Sequence, residues 1–310
     1  MNQRRDGLPL DRGVFNISID LELAWGIRDH LSAAALPGLR REREIVERLL
    51  ALFADYDVSA TWAVVGGLLA LGSREASQVK CAGEWHDERL WYGADIVSVI
   101  RRASPVQEVG SHSFAHVIFD ERKLSPEEAE IDVQKARERH AAGGLPFDVF
   151  VYPRNVVGFT RVLADNGIRV FRGSTPRWYM RLPGPLWKPA MLVDYLLAVT
   201  PPVVSPSTGG DGLVNIPDSM LLLGRNGVRR FVPAGNLVRM ATAGLDRAAT
   251  THGIFHLWFH PANFAYQMDT QFAVVERILD HARMLREREV LRLLTMGEIA
   301  AVQVSRGEHG

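Results

Sequence analysis

The chain has 310 residues, 47% of them hydrophobic, enough to fill the core of one large barrel-like domain or of two small ones. Lysine plus arginine equals aspartate plus glutamate at 36 each, so no net field attracts the chain to nucleic acid or to an acidic membrane. The single cysteine, Cys81, excludes an internal disulfide framework and a thiolate zinc cluster. Any metal ion must therefore be held by histidine and carboxylate side chains.

Residues 1–12 carry charges but no apolar run and no small-residue cleavage site, so the sequence predicts a cytoplasmic protein. The most apolar window, residues 60–71, is about half the roughly 20 residues that cross a bilayer. We expect no membrane span, while peripheral association stays open. The oligomeric state cannot be read from the sequence.

Strand-like and helix-like patterns alternate along most of the chain. Helical spacing of apolar residues covers residues 38–56, and Ser125 followed by a proline and two acids opens another helix. Further helices are predicted at residues 156–166, 234–250 and 270–287. Strands are predicted at residues 14–20, 58–65, 107–111, 147–152, 168–172, 213–216, 253–259 and 290–294. This rhythm predicts a parallel sheet, as a closed or distorted (β/α) barrel forming one domain over residues 1–310.

Two regions interrupt the rhythm, residues 72–104 and 175–212. In barrels, long insertions on the catalytic face usually shape the substrate cleft. Their aromatic side chains either stack on sugar rings or form small satellite cores. The aromatic residues concerned are Trp85, Trp91, Tyr92, Trp178 and Tyr179.

Asp20 and Glu22 stand at the C-terminal end of the first predicted strand. The two-residue period of a strand sends both carboxylates to one side, where one can bind a metal ion while the other moves protons. The alternative is that one or both simply face water.

His112 and His116 follow the predicted strand at residues 107–111. Spacing of i and i+4 on a helical turn, or a tight turn after a strand, puts both imidazoles on one face, as a metal ion requires. Alone, the pair is more typical of a solvated helix face.

Two later segments add candidates. Arg154 follows a predicted strand, where it can fix a carboxylate in a bidentate pair or be an ordinary surface arginine. In the late strand, His256, Trp258 and His260 share one face, and the last of them suits a general acid. A buried, hydrogen-bonded histidine is the more plain interpretation of His256. All these candidates fall at C-terminal strand ends, where barrels assemble their sites.

In this order the motifs resemble those of the polysaccharide deacetylase family, over roughly residues 15–261. Asp20-Leu21-Glu22 is similar to the family's first motif in its spaced-acid variant, and residues 112–116 closely match its second motif, a histidine pair whose first histidine is followed by serine or threonine. Residues 152–155 are similar to the arginine motif, without its usual arginine-x-proline order. Residues 258–261 resemble the last motif, and Asp218 is the candidate for the aspartate that tunes its histidine. The resemblance implies a distorted (β/α)7 TIM-like barrel with insertions at the catalytic face.

The resemblance also implies a divalent metal ion, Zn²⁺ first among them, held by His112, His116 and one acid. By analogy with the spaced variant, Glu22 is the expected ligand and Asp20 the general base, although the sequence leaves the choice between these acids open. The roles of His256 and Asp218 are left open as well.

In the same family roles, Arg154 holds Asp20 in its ionised state and His260 protonates the departing amine. The implied activity is removal of N-acetyl groups from a sugar, such as a cell-surface glycan precursor or an oligosaccharide. A hydrolase of a small non-sugar amide or cyclic ureide is the alternative, and a catalytically silent glycan-binding protein of the same fold is a third possibility.

Overall fold

One sheet forms the centre of the molecule. The computed structural model describes residues 5, 6, 10–70 and 87–307. Within these residues eleven strands hydrogen-bond into one sheet. In chain order they are β1 (Arg5–Asp6), β2 (Gly13–Leu21), β3 (Thr61–Val64), β4 (Glu108–Ser111), β5 (Val149–Val151), β6 (Val170–Gly173), β7 (Ser207–Thr208), β8 (Val214–Pro217), β9 (Met220–Leu221), β10 (Ile254–Phe259) and β11 (Leu291–Leu293).

Seven strands make the barrel wall, in the order β8, β6, β5, β4, β3, β2, β10. Each neighbouring pair is parallel. This is the arrangement that the β-then-α rhythm predicts, because a parallel pair needs a crossover connection. β11 adds to the start of β2, with Leu291 opposite Gly13.

A single stretch of chain, residues 214–221, brings the two edges of the curled sheet together. Its first part is β8, which pairs with β6. After Asp218 and Ser219 it continues as β9, which pairs with β10. The fold is therefore the distorted (β/α)7 barrel that the resemblance implies.

Helices cover the outside of the sheet. They are α1 (Leu36–Arg40), α2 (Glu42–Tyr56), α3 (Ala94–Arg102), α4 (Pro126–Ala142), α5 (Thr160–Asp165), α6 (Trp187–Leu196), α7 (Ala234–Thr251), α8 (Met268–Glu287) and α9 (Met296–Gly307). Outward-facing strand residues and helix residues share the core, as where Phe53 of α2 meets Trp62 of β3 with ring centroids 6.4 Å apart. No helix within the described residues is long and apolar enough to cross a membrane.

Local sequence signals explain where several helices begin. The helix expected over residues 38–56 is divided at Arg41 into α1 and α2. Helix α4 begins as predicted: the Ser125 hydroxyl accepts from the Glu128 N–H, and the Glu128 carboxylate accepts from the Ser125 N–H. This reciprocal capping box satisfies two backbone donors that the helix itself leaves unpaired.

The described part of the first insertion, residues 87–104, contributes to the core. Cys81 and Trp85 lie outside the described residues. Trp91 is buried edge-on against Trp25, whose indole N–H donates to the Trp91 carbonyl at 2.9 Å. Tyr92 packs on the same core cluster. Of the two interpretations of these aromatics, the structure therefore supports core packing for Trp91 and Tyr92, in the main core and not in a small satellite cluster.

Candidate active site

The predicted site residues meet at the C-terminal end of the barrel. Asp20 is the penultimate residue of β2, His112 follows β4, and His260 follows β10. Asp20, Glu22, His116 and His260 line a cavity of about 1010 Å³. This is the end of a (β/α) barrel at which active sites form.

Glu22, His112 and His116 form a compact group that we call the donor triad. The Glu22 Oε1 atom lies 2.9 Å from His112 Nε2 and 3.1 Å from His116 Nε2. On the far side of its ring, His112 Nδ1 lies 2.7 Å from the Val151 carbonyl oxygen, which only an N–H can satisfy. That contact fixes the proton on Nδ1 and leaves the lone pair of Nε2 free to bind a metal ion.

The two histidines are presented by a tight turn, not by a helix. Ser113 and His116 both have positive φ, 62° and 52°. The buried carboxylate of Asp132, on α4, accepts the backbone N–H groups of Phe114 and Ala115 at 2.9 and 3.0 Å. Asp132 therefore holds the turn, and no local sequence signal identifies it, because it lies in the middle of the next helix.

Glu22 reaches the histidines because the chain bends sharply after β2. A short 3₁₀ turn, Leu23–Ile27, follows directly. A Cβ atom added to Gly26 would lie 1.7 Å from Glu22 Oε2. Only glycine at this position therefore lets the Glu22 carboxylate fold back over the turn toward His112 and His116.

Asp20 is paired with Arg172, which corrects the expected pairing with Arg154. The guanidinium donates from Nη1 to Asp20 Oδ1 at 2.7 Å and from Nη2 to Oδ2 at 2.6 Å, and both side chains are buried. Burial would raise the pKa of Asp20, but the charge of Arg172, the nearby histidines and the hydrogen bonds from Arg172 together outweigh it and lower the pKa below its usual value.

Arg154 lies at the rim of the cavity. Its Nη2 donates to Asp29 at 2.6 and 2.7 Å, and both side chains are substantially exposed. The neighbouring Asn155 is the residue of this motif that reaches the inner site, where its Oδ1 accepts from Arg172 Nη2 at 2.9 Å. The arginine expected from β5 is thus supplied by β6, one strand further along.

His260 stands beside both carboxylates. Its Nε2 lies 3.3 Å from Glu22 Oε1 and 3.8 Å from Asp20 Oδ2, and 30% of the side chain is exposed toward the cavity. Burial alone would lower the pKa of His260, but the negative charges of Glu22 and Asp20 outweigh it and raise the pKa to about 9. The imidazole is therefore protonated at neutral pH in this arrangement.

His256 is a satisfied core histidine. Its Nδ1 faces the Pro217 carbonyl at 3.1 Å and its Nε2 faces the Ser18 hydroxyl at 2.8 Å. Burial and the nearby charge of Arg172 lower the pKa of His256 to about 3, so the ring is neutral. The Ser18 oxygen also accepts from Arg172 Nη1 at 2.8 Å, so His256 helps to orient the arginine through Ser18.

Asp218 lies in the cavity wall, bonded to groups other than His260. Its Oδ1 accepts from the Thr175 N–H at 2.7 Å, and its Oδ2 accepts from Trp258 Nε1 at 3.2 Å. The guanidinium of Arg177 is 3.8 Å from Oδ2. Asp218 thus fixes Trp258, two residues before the histidine it was expected to tune.

One further acid, Glu42, was not predicted. It begins α2, is 2% exposed, lines the cavity and leaves its buried Oε2 without a hydrogen-bond partner. Burial and the neighbouring charge of Glu22 raise the pKa of Glu42 to about 8. An amphipathic helix pattern alone cannot distinguish such a residue from an ordinary acid in the first turn of a helix.

The donor triad has the composition and spacing that a divalent metal ion takes. Glu22 Oε1 lies within 3.1 Å of the Nε2 atoms of His112 and His116. Because the His112 proton is on Nδ1, facing Val151, the contact between His112 Nε2 and Glu22 Oε1 brings two lone pairs together. One ligand atom from each member of the triad lies within 4.8 Å of the others. A cation between them would satisfy all three, and two imidazoles with one carboxylate are a common zinc set.

The second insertion forms one wall of the cavity. Tyr179, Trp187 and Tyr195 come from residues 175–212, and Trp258 and Tyr266 line the cavity from elsewhere. Trp178, by contrast, is 56% exposed and does not line it. The expectation that this insertion shapes a cleft is therefore met, with Tyr179 as its correctly named aromatic residue.

No protein-family model and no curated protein matches the sequence. Solved structures do match it over almost its whole length. A candidate polysaccharide deacetylase from Mycobacterium smegmatis is 12% identical with a TM-score of 0.66, covering 99% of this chain and 96% of that one. An allantoinase is 11% identical with a TM-score of 0.62, covering 93% and 89%. A candidate polysaccharide deacetylase from Pseudomonas aeruginosa is 12% identical with a TM-score of 0.58, also covering 93% and 89%.

These similarities define the class of fold. The chain has the fold of the polysaccharide deacetylases, the (β/α)7 barrel, which confirms the sequence resemblance at the level of architecture. One fold can carry different activities, so the function must be argued from the chemistry of the site.

Proposed function

We propose that the protein is a metal-dependent hydrolase of the polysaccharide deacetylase family that removes N-acetyl groups from a sugar. The observation that carries this proposal is the grouping of the donor triad with a buried carboxylate, Asp20, and an imidazole, His260, in one cavity. Amide hydrolysis needs these three parts: a group that activates water, a base and an acid.

Glu22, His112 and His116 would hold the metal ion, which we propose is Zn²⁺. Bound there, the ion would lower the pKa of a water molecule and polarise the acetamido carbonyl. The contact distances support Glu22 over Asp20 as the third ligand, because Glu22 Oε1 lies within 3.1 Å of both histidine nitrogens, whereas both oxygens of Asp20 are bonded to Arg172.

Asp20 would accept the proton of the attacking water, and Arg172 keeps that carboxylate ionised before the reaction. His260 would then donate its proton to the amide nitrogen as the carbon–nitrogen bond breaks, since an amine leaves readily only when protonated. One water is consumed, and acetate and the free amino sugar are released. The proposed role of Arg154 is at the cavity rim, where its guanidinium can contact substrate.

The cavity supports a sugar larger than one ring. Its volume of about 1010 Å³ is at the upper end of the usual range of ligand sites, about 300–1,000 Å³. Tyr179, Trp187 and Trp258 line it and offer flat apolar faces to sugar rings. We therefore propose a glycan precursor or an oligosaccharide as the substrate.

Hydrolysis of a small non-sugar amide or cyclic ureide is the second candidate. It is favoured by the similarity in fold to an allantoinase, at a TM-score of 0.62. The same metal site, base and acid would serve it, so the two candidates differ only in the substrate that fills the cavity.

The test is acetate release from a panel of N-acetylated mono- and oligosaccharides, with Zn²⁺ added or chelated. We expect metal-dependent acetate release that falls at least about 100-fold in Asp20→Asn, the usual scale for loss of a general base. Asp246→Asn is the matched control, because Asp246 pairs with His281 on the outer surface and does not line the cavity.

Three outcomes separate the candidates. Ring opening of a cyclic ureide without acetate release supports the second candidate and contradicts the first. Metal binding without hydrolysis of either class contradicts both enzymes. A protein that binds glycans, binds no metal ion and hydrolyses no amide would be a catalytically silent binding protein of this fold.

A further inference from the structure

The exposed apolar side chains of this protein are concentrated beside the cavity entrance. Fourteen large apolar side chains are exposed among the described residues, and nine of them lie in residues 178–199 and 228–231. Leu197 and Phe231 are 71% and 66% exposed. We call these two segments the mouth surface. Soluble monomers rarely expose a large contiguous apolar patch unless it binds something.

Both segments of the mouth surface border the same cavity. Met180, Tyr195 and Val199 of the first segment line it, as does Arg229 of the second. The entrance to the candidate active site therefore opens through the mouth surface.

Helix α6 shows that this surface needs a cover. Trp187, Met191 and Tyr195, at intervals of four residues, line the cavity. The opposite side of the helix exposes Val193 and Leu196, each at 45%. A surface helix normally turns charged and polar residues outward, so a helix that is apolar on both sides is expected to be covered on both.

The mouth surface carries a net positive charge, although the net charge of the whole chain is zero. Arg181, Lys188, Arg229 and Arg230 belong to it, and none of these four forms an ion pair within the described residues. Its single acid, Asp194, accepts from the Trp178 indole N–H at 3.0 Å. A partner that binds the mouth surface must therefore be negatively charged as well as apolar.

We propose that the mouth surface binds the surface of an anionic lipid bilayer. Apolar side chains that enter the boundary between headgroups and acyl chains, surrounded by unpaired cations, are the two features of an interfacial binding site. A second copy of the chain fits less well, because a two-fold interface would bring this net positive surface against an identical positive surface.

This geometry would place the cavity entrance at the membrane surface. If the proposed deacetylase activity is correct, an acetamido sugar carried on a lipid anchor could enter the cavity while its anchor stays in the bilayer. That consequence rests on the proposed function, whereas bilayer binding itself does not.

The test is flotation of the full chain with vesicles of phosphatidylcholine, alone or mixed with phosphatidylglycerol, at low and at high salt. We expect binding to the mixed vesicles that weakens with salt. Lys188→Gln with Arg230→Gln should weaken binding about 25-fold, since each cation near such a surface contributes about fivefold. The double variant Leu197→Ser with Phe231→Ser should also release the protein from the mixed vesicles.

Matched controls carry equal changes elsewhere. Arg102→Gln with Arg137→Gln removes the same charge, and Val106→Ser with Ile131→Ser removes exposed apolar side chains outside the mouth surface. None of the eight positions lines the cavity, so acetate release from a soluble substrate should be unchanged in every variant. Activity and bilayer binding can therefore fail separately.

Three results would overturn the proposal. The first is no binding of the unaltered chain to the mixed vesicles. The second is equal binding by the mouth-surface variants and their controls. The third is a dimer, seen by analytical ultracentrifugation, that Leu197→Ser with Phe231→Ser dissociates, because then a second copy covers the surface.

Discussion

Arg172 illustrates how completely a buried charge can be satisfied. Its guanidinium makes five hydrogen bonds, to Ser18, Asn155 and Asp20, and lies over the ring of Trp258 at 4.5 Å from the centroid. A buried ion pair gains little over apolar packing, but removing one partner is costly because the other charge is left in a poor solvent. Arg172 is therefore a positioning residue for Asp20 as well as a structural one.

We expect Arg172→Met to lower the free energy of unfolding by about 3 kcal/mol at neutral pH. Without Arg172, burial raises the pKa of Asp20, so the difference from the unaltered chain should shrink as the pH falls and Asp20 becomes protonated. Urea denaturation across pH measures both effects. Arg154→Met, which breaks only an exposed pair, should cost less than about 1 kcal/mol. Equal losses in the two variants would contradict the assignment of Arg172 as the partner of Asp20.

Glu42 gives a second prediction at this scale. Its pKa in the folded chain is raised from 4.5 to about 8, so as the pH rises the unfolded chain releases this proton first. The free energy of unfolding should therefore fall between these two pH values, and Glu42→Gln should remove that loss.

In chelator, to keep the donor triad free of metal, we expect Glu42→Gln to raise the free energy of unfolding at pH 8 on the order of 4 kcal/mol. Urea denaturation at pH 5 and pH 8 measures it. Glu44→Gln, two residues along the same helix and exposed, is the control and should have little effect. No gain at pH 8 would mean that Glu42 is solvated or paired.

At the scale of elements, two short bends position the donor triad. The turn at Leu23–Ile27 carries Glu22 back over β2, and the turn after β4 holds both histidines. Both depend on backbone geometry, so they can be disturbed without changing a single ligand.

Gly26→Ala should weaken Zn²⁺ binding at least about 10-fold, the scale found when the support of a metal ligand is lost. The new Cβ meets the end of the flexible Glu22 side chain, which can move away at little cost to folding. Isothermal titration with Zn²⁺ and thermal unfolding in chelator would measure the two effects separately. Gly235→Ala, where nothing lies within 4 Å of the new Cβ, should bind Zn²⁺ normally. Unchanged affinity in Gly26→Ala would argue against Glu22 as a ligand.

For the whole molecule, a metal ion would connect distant parts of the barrel. Glu22 and His112 are 90 residues apart in sequence and follow different strands. Binding to the folded state alone stabilises that state, because the unfolded chain scatters the ligands.

Zn²⁺ at about 100 times its dissociation constant should raise the free energy of unfolding by about 2.7 kcal/mol. Thermal unfolding with Zn²⁺ and with chelator would show the difference as a higher melting temperature. His112→Ala should abolish the difference, whereas His281→Ala, whose imidazole pairs with Asp246 on the outer surface, should retain it. Stabilisation that survives in His112→Ala would place the metal elsewhere.

The sequence predicts this molecule best where function and strand order coincide. Asp20, Glu22, His112, His116 and His260 come together because parallel strands end on one side of a barrel. The arginine was misassigned because each of two neighbouring strands has an arginine near its C-terminal end, Arg154 three residues after β5 and Arg172 within β6. Only the three-dimensional packing shows that Arg172 reaches Asp20. Asp132 and Glu42 come from helices, and their contacts depend on packing that no local pattern records.

The stretch at residues 214–221, where the two edges of the sheet meet, has one more consequence. Ser219 N–H donates to the His256 carbonyl at 2.9 Å, and Leu222 N–H donates to that of Trp258 at the same distance. Residues 218–221 also line the cavity, so the seam of the barrel and the wall of the site are one piece of chain. A fluctuation that opens the seam also opens the site, and a ligand that fills the cavity should slow amide hydrogen exchange along this seam.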